Sequence, residues 1–201
     1  MAASPGSVSK ALTMRGAQVS WSILHGGKVV ENRPWRIKPG WYGLHTGTGP
    51  IAEDTAKRIR TLVPHIPPES TLAHGVIVGA MRVSHNGREG AWCASSPWTT
   101  GPFCSVISET VALPNPVPHK GALGLWEIGV DVLGPLQAAL GAASIVSNRA
   151  EMAKQGLAAP PVESRGSSSG RARSRKRPRE HDAAHATAAP PHRVSHDSAH
   201  A

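Results

Sequence analysis

All eight aromatic residues of this 201-residue chain, namely Trp21, Trp35, Trp41, Tyr42, Trp92, Trp98, Phe103 and Trp126, lie between positions 21 and 126. Aromatic side chains bring the largest apolar areas to a core, so their distribution confines where a core can form. Residues 157–201 have little to bury. They carry eight Lys and Arg, four acids and five His, with no aromatic and no apolar period. Such a composition cannot offset the entropy of ordering, and the segment is expected to be a disordered basic tail rich in His, Ala and Pro. The overall 39% hydrophobic and 17% charged content therefore averages two unlike parts.

Several classes are set aside by the same reading. No run of 18 apolar residues is present, so no membrane partner is expected. The opening MAASPGSVSK lacks the apolar centre of a signal peptide. Cys93 and Cys104, the only cysteines, are too few for a disulfide framework or an all-cysteine zinc site, and each reads as a buried thiol. The chain reads as soluble and not secreted. Its net charge of +9 favours anionic partners, nucleic acid first.

Along the chain, residues 1–10 are small and polar and read as a disordered lead-in. Ala11–Met14 suits a first strand. Ala17–His25 spaces Ala17, Trp21 and Leu24 as a helix face, and Gly26-Gly27 ends it. Strands are expected at Lys28–Arg33 and Trp41–His45. Ile51–Val63 is expected to be a helix, opened by Glu53 and Asp54 and closed by Lys57, Arg58 and Arg60 in accord with the macrodipole. His74–Val83 reads as strand with a turn at Asn86-Gly87, and residues 91–105 as an irregular loop. Val106–Leu113 and Leu123–Val130 read as further strands, with Trp126, Ile128 and Val130 on one face. A C-terminal helix over 135–156 has Pro135 just inside its start and Gly156 just past its end. The expected organisation is a domain over 11–134, that helix, and the tail. The class is α+β.

The most informative stretch is GGKVVENRPWRIKPGWYGLHTG, residues 26–47. Lys28, Arg33, Arg36 and Lys38 gather around a single acid, Glu31, and Trp35, Trp41 and Tyr42 are interleaved with them. On a strand, Glu31 and Arg33 point the same way and can pair, which would fix the guanidinium for an anionic ligand. Cations interleaved with aromatics are what holds phosphates and stacks bases. The plainer alternative is a solvated basic edge with the tryptophans in the core.

This stretch resembles the signature of the activating signal cointegrator homology (ASCH) family: an apolar strand, a helix ending in Gly-x-Lys, then Val-Glu-x-Arg and a tryptophan. Leu12-Thr13-Met14-Arg15 is similar to the opening strand, Trp21–Gly26 to the helix, and Lys28–Arg33 followed by Trp35 to the motif. HGVIVGAMRV is similar to the middle strand, and PHKGALGLWEI, with Lys120, Gly121 and Trp126, to the closing strand. The matches run in order over residues 11–130. The resemblance implies a small PUA-like β-barrel with flanking helices and a ligand cleft beside the Lys/Glu/Arg strand.

The function so implied is an RNA-binding module, a transcription or RNA-processing cofactor. Lys28, Arg33, Arg36, Lys38 and Lys120 would contact phosphates and Trp35 would stack a base. Glu31 would read a base edge or orient Arg33. The alternative is a small hydrolase of the same family, acting on acetylated nucleosides or RNA through Lys28 and Glu31. The family's amidohydrolase motif has a threonine where this chain has Glu31, and its ribonuclease tyrosine precedes the motif, whereas Tyr42 follows it. Neither a cofactor nor a metal is expected, since His25, His45, His74, His85 and His119 lack ligand spacing. In the tail, RARSRKRPR places Arg171, Arg173, Arg175, Lys176, Arg177 and Arg179 within nine residues. Such a run suits an importin-like receptor or phosphates, and nuclear localisation is expected ahead of cytoplasmic.

Overall fold

The computed structural model describes residues 4–88 and 92–157. Its centre is a curled mixed sheet of seven strands. The strands are β1 (Lys10–Met14), β2 (Val30–Arg33), β3 (Gly40–Thr46), β4 (Val76–Arg88), β5 (Phe103–Pro118), β6 (Leu125–Glu127) and β7 (Val146–Ser147). The order is β2-β5-β4-β3-β1-β6, and β7 pairs with β5. β1 and β3 run parallel, while the other pairs are antiparallel. The helices are α1 (Ala17–His25), α2 (Glu53–Leu62), α3 (Val130–Ala142) and α4 (Arg149–Lys154). The α+β class is therefore seen, with the sheet rolled as a half-barrel.

The curl comes from the two longest strands. The pairing of β4 with β5 shifts register between Ile77 and Gly79 and twice more before His85, and each such irregularity bends and twists a strand. Gly79 is needed there, because a Cβ at this position would lie 2.1 Å from the Val111 carbonyl oxygen. Both faces of the sheet are covered. Leu12, Met14, Leu44 and Met81 pack on one face with Val19 and Ile23 of α1 and Ile59 of α2. Ala11, Trp41, Ala80 and Val111 pack on the other with Leu136 and Leu140 of α3. Near-continuous burial along β3 follows from this double cover.

Helix α1 has the expected bounds, and the Gly26 amide donates to the Ser22 carbonyl at its end. It buries Ala17, Val19 and Ile23 along with Gln18, Ser20 and Ser22, while Trp21 and Leu24 are only half-buried. At its other end the Ala17 and Gln18 amides donate to the Glu69 carboxylate, which supplies acceptors to the helix N-terminus.

Four expectations change. The lead-in is not loose where it is described: Pro5 and Val8 are buried, and Val8 packs with α3 residues. Asn86-Gly87 is not a turn, because β4 continues to Arg88 with Asn86 opposite Ser105 and Gly87 opposite Cys104. The Asn86 side chain is spent across the sheet, donating to the Ile37 carbonyl and accepting from Ser105. The helix expected over 135–156 is two, α3 and α4, separated by β7. Ile145 and Val146 are β-branched and favour extended backbone, and Val146 and Ser147 pair with Thr110 and Glu109. The strand expected to reach Val130 stops at Glu127, and Val130 opens α3 at 90% exposure. Leu157 is fully buried. Residues 158–201 lie outside the described residues, so the tail and its Arg171–Arg179 cluster do too.

The cysteines also depart from expectation. Cys93 and Cys104 are both buried but form a disulfide. The segment between them folds back on itself, with the Thr99 hydroxyl donating to the Cys93 carbonyl. Asn32 of β2 fixes the same segment from below, donating to the Trp98 carbonyl and accepting from the Thr100 amide.

Candidate nucleic-acid interface

Strand β2 is an edge strand paired only with β5, and its Glu31 and Arg33 project to the same side, as alternation requires. Both carboxylate oxygens of Glu31 are engaged. Oε1 accepts from Arg33 Nε at 2.9 Å and Oε2 accepts from Lys28 Nζ at 2.9 Å. Lys28 precedes the strand, and its ammonium turns back to donate to the Val30 carbonyl as well. The side chains of Lys28 and Glu31 are under one-tenth exposed, and that of Arg33 about a quarter. Burial alone would raise the Glu31 pKa, but the charges and hydrogen bonds of Lys28 and Arg33 outweigh it and hold the carboxyl below its ordinary range.

Arg33 does a second job. Its Nη2 donates to the Thr13 carbonyl at 3.0 Å and lies 3.6 Å from Met14 Sδ. Thr13 and Met14 belong to β1, which lies near the opposite end of the strand order from β2. One guanidinium thus ties together two strands that the curl brings face to face without a backbone ladder between them.

The triad forms one wall of an open cleft of about 1130 Å³. Arg15, Asp54, Arg58 and Trp98 line it, together with His45 and the segment His119–Gly124. Five cations (Arg15, Lys28, Arg33, Arg58, Lys120) face two carboxylates (Glu31, Asp54) around this space. Within the triad, buried Lys28 and quarter-exposed Arg33 share one carboxylate, leaving a net positive charge on that wall. Arg58 of α2 donates to the Pro97 and Thr99 carbonyls, in the segment that Asn32 holds beside β2.

The floor is formed by aromatic rings. His119 stacks on Trp126 with centroids 4.8 Å apart, and His45 meets Trp126 edge-on at 5.6 Å. The Trp126 indole donates to the Thr13 hydroxyl at 3.0 Å. His45 donates from Nε2 to the His119 carbonyl at 2.9 Å. Burial is the leading cause that lowers the pKa of His45, the His119 carbonyl bond acting the other way, so the ring is neutral near pH 7.

The sequence-based site therefore divides. Lys28, Glu31, Arg33 and Lys120 come together on the cleft. Trp35, Arg36 and Lys38 are not among its lining residues. Trp35 is half-buried against the core, exposed Arg36 lies over the Phe103 ring at 5.4 Å, and Lys38 is exposed with its carbonyl accepting from the Tyr42 hydroxyl. Past Pro34 the chain leaves the strand, and alternation no longer governs where these side chains point. Of the two roles expected for Glu31, its full engagement fits orienting Arg33. Arg15, Asp54, Arg58, Trp98, His45 and His119 were not read as site residues, since they come from segments with no shared motif.

Among the described residues no group of three His, Cys, Asp or Glu is placed to hold a metal. No helix among them is long and apolar enough to cross a membrane. No protein-family model and no curated protein matches this chain.

Proposed function

We propose that this protein is a single-stranded nucleic-acid-binding module of the ASCH kind, with RNA as its ligand. The observation that carries the reading is the buried Lys28–Glu31–Arg33 triad, with its excess positive charge facing an open cleft that three further cations line. Burying a charge without full compensation is costly, and a phosphate entering the cleft supplies the missing anion. Arg33 is held at Nε and Nη2, so its orientation is set before any ligand arrives, which reduces the entropy lost on binding. His119, half-buried with one face on Trp126, is the ring of the cleft that a base can meet, while Trp98 lines the cleft from within the core.

Binding is preferred to the hydrolase alternative for a geometric reason. The Lys28 ammonium donates to both a carboxylate and a carbonyl, and a nucleophilic amine needs its lone pair free.

The test is a thermal shift of the full chain with single-stranded RNA. The basic run at 171–179 binds phosphates whether or not the domain is folded, so it adds nothing to the difference between the two states. A cleft ligand binds the folded state alone and stabilises it by about 2.7 kcal/mol at a free concentration of 100 times its Kd. For a domain of this size that is a rise of roughly 5–11 °C in Tm. Lys120→Glu, exposed at the cleft, should shrink the rise. RNA that is retained by the protein without raising Tm would refute the cleft.

A further inference from the structure

His45 holds one polar atom that the other described residues leave unpaired. The residue is only 2% exposed. Its Nε2 faces the His119 carbonyl, which can only accept, so that nitrogen carries the ring proton. Nδ1 is therefore a bare lone pair, and it is buried with no hydrogen-bond partner. A buried acceptor left unpaired is costly and rare.

What surrounds this atom points to a ligand. Thr13 sits opposite His45 in the β1–β3 register. The Thr13 hydroxyl accepts from the Trp126 indole, and its own proton donates to nothing among the described residues. An unused acceptor and an unused donor thus stand side by side on the cleft floor. Their cover is a single glycine. A Cβ at Gly121 would lie 2.5 Å from His45 Nδ1 and 2.8 Å from Thr13 Oγ1. The segment bearing Gly121 is anchored at its start, where the His119 amide donates to the Gly75 carbonyl and His119 Nδ1 to the Lys120 carbonyl; beyond that point Leu123 is 98% exposed and Gly124 takes the left-handed conformation with φ of 69°. The same Thr13 offers its carbonyl to Arg33, so the polar floor and the anion-binding wall meet at one residue.

We propose that His45 Nδ1 and the Thr13 hydroxyl form a base-reading subsite, uncovered when the Gly121 segment lifts, which takes the edge of a nucleobase whose phosphate is held by Lys28 and Arg33. This rests on the nucleic-acid reading above and specifies the ligand as an unpaired nucleotide turned into the cleft. The Watson–Crick edge of each base places a donor next to an acceptor, which is the complement the pair requires. Recognition by this subsite therefore demands a base more than it selects one.

The full chain is titrated with a mixed-sequence RNA hexamer and with the same hexamer carrying abasic riboses, which has equal charge. The intact hexamer should bind wild type at least about tenfold more tightly. His45→Leu should cut that preference severalfold while leaving abasic affinity unchanged. His45→Gln, which keeps an acceptor oxygen, should retain most of it. Gly121→Ala, whose methyl group would meet His45 Nδ1 at 2.5 Å in the closed position, disfavours closure and should raise the preference severalfold, a result that does not depend on whether His45→Leu folds. Equal binding of the two hexamers by wild type overturns the subsite, and so does an equal loss for both in His45→Leu. A preference that survives His45→Leu, or that falls in Gly121→Ala, overturns it too, while the nucleic-acid reading stands. Binding of neither hexamer overturns both.

Discussion

Replacing Glu31 with Gln removes one negative charge and keeps the side chain's shape. The carboxylate is the shared counterion of Lys28 and Arg33, each at 2.9 Å, on a wall where Lys28 and Glu31 are nearly inaccessible. Breaking a buried pair by deleting one partner costs about 3–5 kcal/mol, because the surviving charge stays desolvated. Arg33 is a quarter exposed and water relieves part of its loss, so the lower end, about 3 kcal/mol, is expected. That corresponds to a fall in Tm of roughly 6–12 °C for a domain of this size. The pH dependence provides a second signature. Folding lowers the Glu31 pKa, despite burial that acts upward, because of the two cations. Stability from such a group is complete above its unfolded value, near 4.3, and is lost as pH falls through the lower folded value. The Tm gap between wild type and Glu31→Gln should therefore hold steady from pH 7 to about 5.5 and narrow progressively as pH falls below about 4.3. Calorimetry across this range is the assay, with Glu53→Gln as control because its pair with Arg60 is exposed. A gap under about 1 °C at pH 7 would show that water already screens the triad. A gap of the same size at pH 3 as at pH 7 would show that shape, not charge, was lost.

Three further outcomes are expected. Trp35→Ala should lower Tm by removing a half-buried ring from the core, yet leave RNA affinity within about twofold by fluorescence titration, because Trp35 does not line the cleft; a larger loss would place the ring at the ligand. Cys93→Ala or addition of dithiothreitol should cost up to about 3 kcal/mol, the scale for a disulfide closing a loop of this length. Thiol titration of the unreduced, unfolded chain should find no free thiol, and two free thiols would contradict the bond. Replacing Arg173, Arg175, Lys176 and Arg177 with Ala should abolish nuclear accumulation of a large fused reporter seen by microscopy, and unchanged accumulation would remove the address reading.

Local signals in the sequence located local structure and failed where distant partners intervene. Ala17–His25 was legible because apolar spacing, a paired-glycine stop and a nine-residue length all agree. The segment after Pro135 also has helical spacing, and Val146 belongs to its apolar stripe. In the fold Val146 is half exposed and pairs with Thr110, thirty-six positions earlier. No periodicity within that segment announces a strand edge so far away. Asn86-Gly87 failed for a related reason. The dipeptide favours a tight turn, but Ser105 and Ile37 bond the Asn86 side chain and keep the strand running. The disulfide was hidden similarly, since its closure depends on Asn32 holding the Trp98–Thr100 segment beside β2.

The site divides along the same line. Glu31 and Arg33 could be paired from alternation alone, and the structure bears out that pair at 2.9 Å. What alternation cannot supply is the second half of Arg33's environment. The Thr13 carbonyl lies twenty residues earlier, on a strand reached only by passing through β5, β4 and β3. The guanidinium that would bind an anion is thus also the link between the two ends of a curled sheet. Folding of the half-barrel is what orients it, and an anion on it reinforces the contact that holds the curl. On the proposed reading, ligand affinity and closure of the sheet would rise and fall together, since any change that loosens Arg33 from Thr13 would lower the population able to bind. On that same reading, a mutation at Gly79, which does not line the cleft but sits where the sheet bends against Val111, would weaken binding without touching the ligand.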